Sequence, residues 1–345
     1  MNPYRISVIS GDGIGPEQTE AAIRVLRRIE EVFHTSFDFV EAEAGDACQK
    51  KCGNPLPDDT VRALKASDAC LKGPVGETAY DVIVKLRQMF DLYANLRPCR
   101  AYPRVKCLDP ETDLIVVREN TEDLYKGLEF EISGSVIGLR VTTPHACRRI
   151  ASKAFQLSES RNKKRLVTAV HKSNVMKKGC GMFSAVCREQ AKLHPTITFE
   201  EMYVDAASMN LIRKPAHFDV LVTTNVFGDI LSDEAAQVVG GLGLAPSGNI
   251  GDNYALFEPI HGSAPDIAGK KSANPISMLL SASMMLDYLS GKFSDHRCAE
   301  AARALESAVA RVLSDGVTTP DLGGKQTTDQ VADAVADWIA AGMTR

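Results

Sequence analysis

The chain has 345 residues, of which 44% are hydrophobic, 24% charged and 6% aromatic. That length suits about two domains, and the composition excludes a disordered chain, just as 25 Gly and 16 Pro exclude a collagen-like one. Forty Lys and Arg against 44 Asp and Glu leave a net charge of −4, which argues against non-specific nucleic-acid binding.

Residues 5–10 read as a short apolar strand, and 15–33 carry apolar residues at helical spacing. Segment 37–42 alternates like a strand, 57–66 is helical and 69–72 is strand-like. Strands alternating with helices predict a parallel α/β sheet. A helix over 81–90 and an extended stretch over 92–96 follow. In the middle third, strands are predicted at 113–118, 128–132 and 136–142, then a helix at 144–157. Further strands fall at 166–170, 198–204 and 220–223, with helices between them. The last third is nearly all helix, at 276–289, 299–313 and 330–341. Those helices need a sheet made elsewhere, so the first domain is expected to be discontinuous. The most apolar stretch, 277–286, stops at Asp287 and reads as a core helix, too short to span a membrane. No secretory signal is visible, so a cytoplasmic protein with no membrane partner is expected. The nine cysteines include no CxxC pair, which disfavours a zinc ribbon or a dithiol redox motif. Most are expected to be small buried hydrophobes, held as reduced thiols.

Several stretches have the makings of chemistry. GDGIGPE at 11–17 follows a strand and opens a helix, but its glycines are spaced GxGxG, which does not match the Rossmann fingerprint. A tight strand-to-helix turn with Pro16 in the first helical turn is the simpler reading. Gly262 to Lys270 has six residues between its glycines, two too many for a P-loop. GDILSDE at 228–234 opens a helix after VLVTTN. Asp229 and Asp233, one turn apart, share a face and offer hard oxygens suited to Mg²⁺ or Mn²⁺. A solvated acidic face at a helix N-terminus would look the same. Asp205, at the end of the strand EEMYV, is a candidate third ligand. Arg87, Arg97 and Arg118 lie at element edges, and converging guanidinium forks would suit a substrate with two carboxylates. Lys172 ends the strand LVTAVHK, where burial would lower its pKa and let it act as a base, with Tyr125 as a complementary acid.

Together these stretches resemble the β-decarboxylating dehydrogenases, which include isopropylmalate, isocitrate and homoisocitrate dehydrogenases. The resemblance is carried by GDGIGPE at 11–17, LYANLRP at 92–98, VRENTEDLY at 117–125, HKSNV at 171–175, YVDAASM at 203–209, FGDILSDE at 227–234, GGLGLAPSGNIG at 240–251, FEPIHGSAPDIAGK at 257–270, NP at 274–275 and TPDLGG at 319–324. The stretch GETAYDVIVKLR looks most like archaeal isopropylmalate dehydrogenases. The resemblance implies a two-domain α/β fold, not Rossmann, with central sheets flanked by helices. Residues 1–98 with 239–345 would form the cofactor-side domain, and 99–238 the inserted domain bearing substrate, metal and dimer contacts. It also implies a homodimer whose cleft is completed by the neighbouring subunit. Arg87, Arg97 and Arg118 would clamp the substrate carboxylates. Asp229 and Asp233, with Asp205 of the second subunit, would hold Mg²⁺ or Mn²⁺. Lys172, also from that subunit, would help deprotonate the 2-hydroxyl, and Tyr125 would protonate the enolate carbon. The nicotinamide cofactor would lie along His261, Gly262, Ser263, Ala264, Asp266, Ile267 and Asn274, near Glu258 and Asn174. Asp266 would accept hydrogen bonds from free ribose hydroxyls and repel a 2′-phosphate, so NAD is expected.

The substrate follows from the helix before Arg87, where α-helical spacing turns Val84, Ile83 and Tyr80 toward the same site. Isocitrate enzymes commonly carry Ser and Asn six and four residues before this Arg, and here those places hold Asp81 and Ile83. Ile83 and Val84 suit an isopropyl group and offer no partner to a γ-carboxylate, favouring 3-isopropylmalate and leucine biosynthesis. Tyr80 keeps isocitrate and homoisocitrate open. A non-catalytic regulatory subunit would be expected to have lost some of the metal and acid–base residues, which this chain retains together.

Overall fold

The computed structural model describes residues 3–342. The N-terminal stretch forms β1 (Tyr4–Ile9), α1 (Gly15–Phe33), β2 (Phe37–Glu41), α2 (Asp46–Cys52), α3 (Asp58–Lys65) and β3 (Ala69–Lys72). In α1, Pro16 sits in the first turn and the buried positions Gln18, Ala21, Ala22, Val25, Leu26 and Ile29 trace one helical stripe. Helix α2 escapes the pattern reading because DACQKKC has almost no apolar periodicity.

The predicted helix before Arg87 is two different things. Tyr80–Val84 is a π-helical turn, and α4 (Lys85–Met89) is the α-helix that follows. A π turn closes i→i+5 bonds, so α-helical spacing does not carry back from Arg87. Next come β4 (Ala94–Arg100), β5 (Asp113–Glu119) and a hairpin of β6 (Glu129–Ile132) and β7 (Ser135–Gly138). Then follow α5 (Pro144–Arg161), β8 (Leu166–His171), α6 (Gly179–Leu193), β9 (Thr198–Tyr203), α7 (Val204–Arg213), β10 (Val220–Thr223) and α8 (Asn225–Val238). The chain continues with β11 (Pro246–Ile250), β12 (Ala255–Pro259), α9 (Ile276–Phe293), α10 (His296–Ser314) and α11 (Thr328–Gly342).

Ten strands form one continuous sheet in the order β2-β1-β3-β12-β11-β4-β5-β10-β8-β9. It is parallel in both flanks, but its centre is antiparallel, since β11 runs against both β12 and β4, and β4 against β5. The parallel expectation therefore holds only for the flanks. The strands β11 and β12 are short, and PSGNI offers no β-branched run; their pairing comes from the sheet, not from propensity. Pro98 is tolerated inside β4 because β11 pairs only as far as Leu96, so no ladder bond needs its missing N–H.

Helix α9 is buried at Ser277, Ser281 and Ser283 as well as at its apolar residues, and packs on the sheet beneath α1 and α10. One apolar cluster joins β1, α1 and β3 to α9, α10 and α11, so both ends of the described chain share a core. Other clusters are built from segments between residues 94 and 250. All nine cysteines are free and seven are buried, as expected of small hydrophobes. No helix among the described residues is long and apolar enough to cross a membrane.

Candidate active site

Arg87 from α4, Arg97 from β4 and Arg118 from β5 are all buried and converge on one site. Arg118 donates from Nε to Asn225 Oδ1 at 2.9 Å and from Nη1 to Asp229 Oδ1. Arg97 reaches Asp229 at 3.3 Å, Asp233 at 3.2 Å and Ser232 Oγ at 2.7 Å. Arg118 also passes over α8 at Gly228, where a Cβ would lie 2.6 Å from Arg118 Cγ, so this position has to be glycine. Burial, and then the neighbouring Arg118, push Arg97 down to about 10. Burial likewise lowers Arg87, with Arg118 adding to it. The guanidiniums repel one another, and Arg118 Nη2 is buried without a partner. An anion placed among them would relieve both.

Tyr125 donates its hydroxyl to Asp229 Oδ2 at 2.5 Å, under Arg118, whose guanidinium lies 5.0 Å from the ring centre. Burial raises the Tyr125 phenol, and the bond to Asp229 adds to this against the pull of Arg118. The Asp229 carboxyl is held below its usual range, because Arg118 and Arg97 outweigh its burial. Asp233 is pushed up by burial. Helix α8 starts at Asn225, three residues before the predicted opening, because the strand ends at Thr223 and the Thr224 carbonyl already accepts from the Gly228 N–H at 2.9 Å. Asp229 and Asp233 therefore lie inside the helix, where the dipole no longer accounts for them.

The remaining predicted residues fall in several other places. Lys172 and Asp205 pair with each other at 2.7 Å, with Asn174 on the same loop after β8. The strand before Asp205 ends at Tyr203, so Asp205 belongs to the first turn of α7. Among the described residues no hydrogen bond or ion pair links Lys172 or Asp205 to Tyr125, Asp229 or Asp233, and no three His, Cys, Asp or Glu gather as a metal cage. His261, Gly262, Ala264, Ile267 and Asn274 line a cavity of about 640 Å³ with Gln18 and Asp321. Ser263 turns its carbonyl to the Ile14 N–H at 2.9 Å, and a Cβ on Gly13 would collide with that Ser263 backbone. The opening glycine motif is thus a tight turn clamped to the 262–270 loop. Asp266 is exposed on that loop. Gln18 donates to the Asn274 carbonyl at 2.7 Å and contacts His261 Nε2 at 3.1 Å, and its own Oε1 is buried and unpartnered. Burial lowers the His261 imidazole, keeping a neutral ring beside the cavity. Ile83 and Val84 are buried in an apolar cluster against which the Tyr125 ring packs, while Tyr80 is half exposed, its hydroxyl against Gly127.

Glu258 is not on that cavity wall. It is buried behind the arginines, 2.7 Å from Lys72 Nζ and 3.3 Å from Arg87 Nη2. Burial alone would raise its carboxyl, but Lys72 and Arg87 outweigh burial and hold it at about 2. Asn249 joins the two groups: its Oδ1 accepts from Arg87 Nε at 3.0 Å, Asn95 at 2.7 Å and Asn120 at 2.9 Å, and its Nδ2 donates to Glu258 at 3.0 Å. Sequence reasoning missed Lys72, Asn95, Asn120, Asn249 and Gln18. A signal existed for two of them, since Asn95 and Asn249 stand inside strands, where Asn is disfavoured unless its amide is used.

A second cavity, of about 560 Å³, opens on the opposite side of β4 between α5, α9 and α10, and none of the predicted site residues lines it.

Comparison with known proteins gives concordant matches. The family model described as isocitrate/isopropylmalate dehydrogenase matches residues 5–335. The chain is 52% identical to the 3-isopropylmalate/3-methylmalate dehydrogenase of Methanocaldococcus jannaschii, over 96% of this chain and 98% of that protein. It is 49% identical to the 3-isopropylmalate dehydrogenase of Saccharolobus solfataricus, over 97% and 99%. The solved isocitrate dehydrogenase from Methylococcus capsulatus superposes with a TM-score of 0.90 at 40% identity, covering 97% of this chain and 99% of that one.

Proposed function

This chain belongs to the isocitrate/isopropylmalate dehydrogenase family, and from that premise we propose that it oxidises and decarboxylates 3-isopropylmalate with NAD and a divalent cation, Mg²⁺ or Mn²⁺. The observation that carries the reading is the gathering of Arg97, Arg118 and Tyr125 on Asp229, with Arg87 beside them, its charge also lowering the Asp229 carboxyl. Three buried guanidiniums, one with an unpartnered nitrogen, bind and orient a dianion in one pose. Ile83 and Val84, buried beside Tyr125, favour a branched aliphatic substituent over a third carboxylate. Lys172 takes the proton of the 2-hydroxyl, and Tyr125 delivers a proton to the enolate carbon after CO₂ leaves.

The donor chemistry of Asp229 and Asp233 fits a hard cation, which when bound polarises the substrate oxygens. The orphaned Gln18 Oε1 and the cavity beside His261 and Asn274 fit the polar body of a nicotinamide dinucleotide, which accepts the hydride. Asp266 on the same loop selects the free ribose of NAD. The predicted division into 1–98 with 239–345, and 99–238, belongs to the same reading and is supported by the separate apolar clusters.

The separation of Lys172 and Asp205 from Tyr125 and Asp229 supports a homodimer in which the second copy supplies them. Large apolar residues exposed nearby, Met209, Ile212 and Ile230, with Phe130 and Val136 on the β6–β7 hairpin, give such an interface its apolar contact. Asp205→Asn and Asp229→Asn are each expected to be inactive alone. Mixed and refolded together, they should recover about a quarter of wild-type turnover, because half the dimers contain one intact site of two. Recovery of none would place each site within one chain.

The substrate reading is tested by turnover of 3-isopropylmalate, isocitrate and homoisocitrate with NAD and NADP, followed by NADH or NADPH absorbance. The highest kcat/KM is expected for 3-isopropylmalate with NAD. A highest value for isocitrate would assign Tyr80 to the distal carboxylate, and a preference for NADP would remove the role given to Asp266.

A further inference from the structure

The reaction above leaves Asp123 without a task, although it stands in the VRENTEDLY stretch at 117–125. It is buried, and its backbone has φ +68° and ψ −147°, a conformation glycine adopts freely and other residues rarely. An aspartate there is strained, and its side chain is fully engaged. Oδ1 accepts from Leu124 N at 2.9 Å and Arg140 Nε at 2.6 Å. Oδ2 accepts from Arg140 Nη2 at 2.9 Å and Val226 N at 3.2 Å. Four donors fill the lone-pair sites of the carboxylate, and they come from three elements. Leu124 opens the 3₁₀ turn that carries Tyr125, Val226 lies in the first turn of α8 three residues before Asp229, and Arg140 follows the β6–β7 hairpin. Arg140 is in turn held by Thr224 Oγ1 at 2.5 Å and lies 4.5 Å from the centre of the Phe227 ring.

We propose that Asp123 is a positioning residue whose carboxylate, with Arg140, fixes the Tyr125 turn against α8 and so aims the phenol at the reacting carbon. The proposal rests on the reading that Tyr125 is the proton donor. In that step the bond between C3 and the leaving carboxylate breaks, its electron pair becomes the enolate double bond, and C3 then takes the Tyr125 proton. The phenolate recovers a proton from solvent.

The test runs the full reaction in D₂O with 3-isopropylmalate, NAD and Mn²⁺, and measures deuterium in each of the two C3 positions of the 2-oxo acid. Wild type is expected to label one position only, and Tyr125→Phe to label both. Single-position labelling by Tyr125→Phe would overturn the reading of Tyr125 and the proposal with it. Asp123→Gly relieves the backbone and removes the clamp, and Arg140→Lys removes the bidentate pairing while keeping the charge. Both are expected to lower kcat about tenfold or more, with KM for the acid within about twofold, and to scramble the label. Folding is followed by thermal unfolding, and either variant alone carries the test. An Asp123→Gly enzyme with single-position labelling and wild-type kcat would show that the position needs only its backbone shape, and would overturn the proposal.

Discussion

Replacing Asp229 by Asn is expected to lower kcat/KM by about 10³-fold or more, the scale of losing an electrostatic group that acts at the reacting atoms. Asp229 sits where three functions meet. It neutralises Arg118 and Arg97 and accepts the Tyr125 hydroxyl, and with Asp233 it is the carboxylate proposed to hold the cation. Asparagine keeps the shape and loses the charge. The buried guanidiniums then face each other with less compensation, so stability is expected to fall by about 1–3 kcal/mol. Added sulfate should restore part of that loss, because an anion would sit where the aspartate charge was. Calorimetric titration with Mn²⁺ separates the roles: affinity should drop at least tenfold with this variant, at about 1.4 kcal/mol per decade. Unchanged Mn²⁺ affinity together with unchanged turnover would remove Asp229 from the site.

Glu258→Gln is the second large effect, and here stability leads. Lys72 and Arg87 are both buried against this one carboxylate. Removing its charge leaves two cations without a counter-ion, a change expected to cost about 3–5 kcal/mol in chemical denaturation. The pH dependence has a definite sign. The folded carboxyl lies at about 2, below the ordinary value of about 4.3 of an unfolded chain. Its stabilisation is therefore complete above that ordinary value and is lost as pH falls from there through about 2. Wild type should lose stability in that window more steeply than the glutamine variant. Identical acid profiles would mean that Glu258 is not held by Lys72 and Arg87. Adding Lys72→Met to Glu258→Gln should recover part of the stability, because the remaining buried ammonium is removed with its partner gone.

Much of this was legible in the residues. Helices such as α1 and α10 announce themselves because one face is apolar at every turn, and both lie where the periodicity puts them. The arginines and aspartates are recognisable one by one, but only folding brings Arg87, Arg97 and Arg118 to one point, because a helix and the two strands that follow it supply them. Other features have no local signature. A π turn at Tyr80–Val84 depends on how its hydrogen bonds close, not on residue type, so α-helical spacing alone could not place Ile83 and Val84, which lie in the apolar cluster that the Tyr125 ring covers. The hub at Asn249 is invisible for a similar reason: its partners, Arg87, Asn95, Asn120 and Glu258, come from four separate segments. Lys172 and Asp205 mark the opposite case, two residues close to each other in space and joined by no bond to the cluster they are proposed to serve.

The core shared by both ends of the described chain governs how the protein can be made. Tyr4 donates to Asp295 at 2.7 Å, and Arg24 pairs with Asp329 and Asp333. The first of these contacts cannot form before residue 295 has been made, and the last not before residue 333. At about 5–20 residues per second, the strands β1 and β3 and the apolar stripe of α1 wait roughly ten seconds or more for their cover. During synthesis the N-terminal segment is thus expected to need chaperone protection, whereas the residues between 99 and 238 emerge with more of their partners already present. Moving the termini by circular permutation, so that α9–α11 are translated immediately before β1, should shorten that exposure.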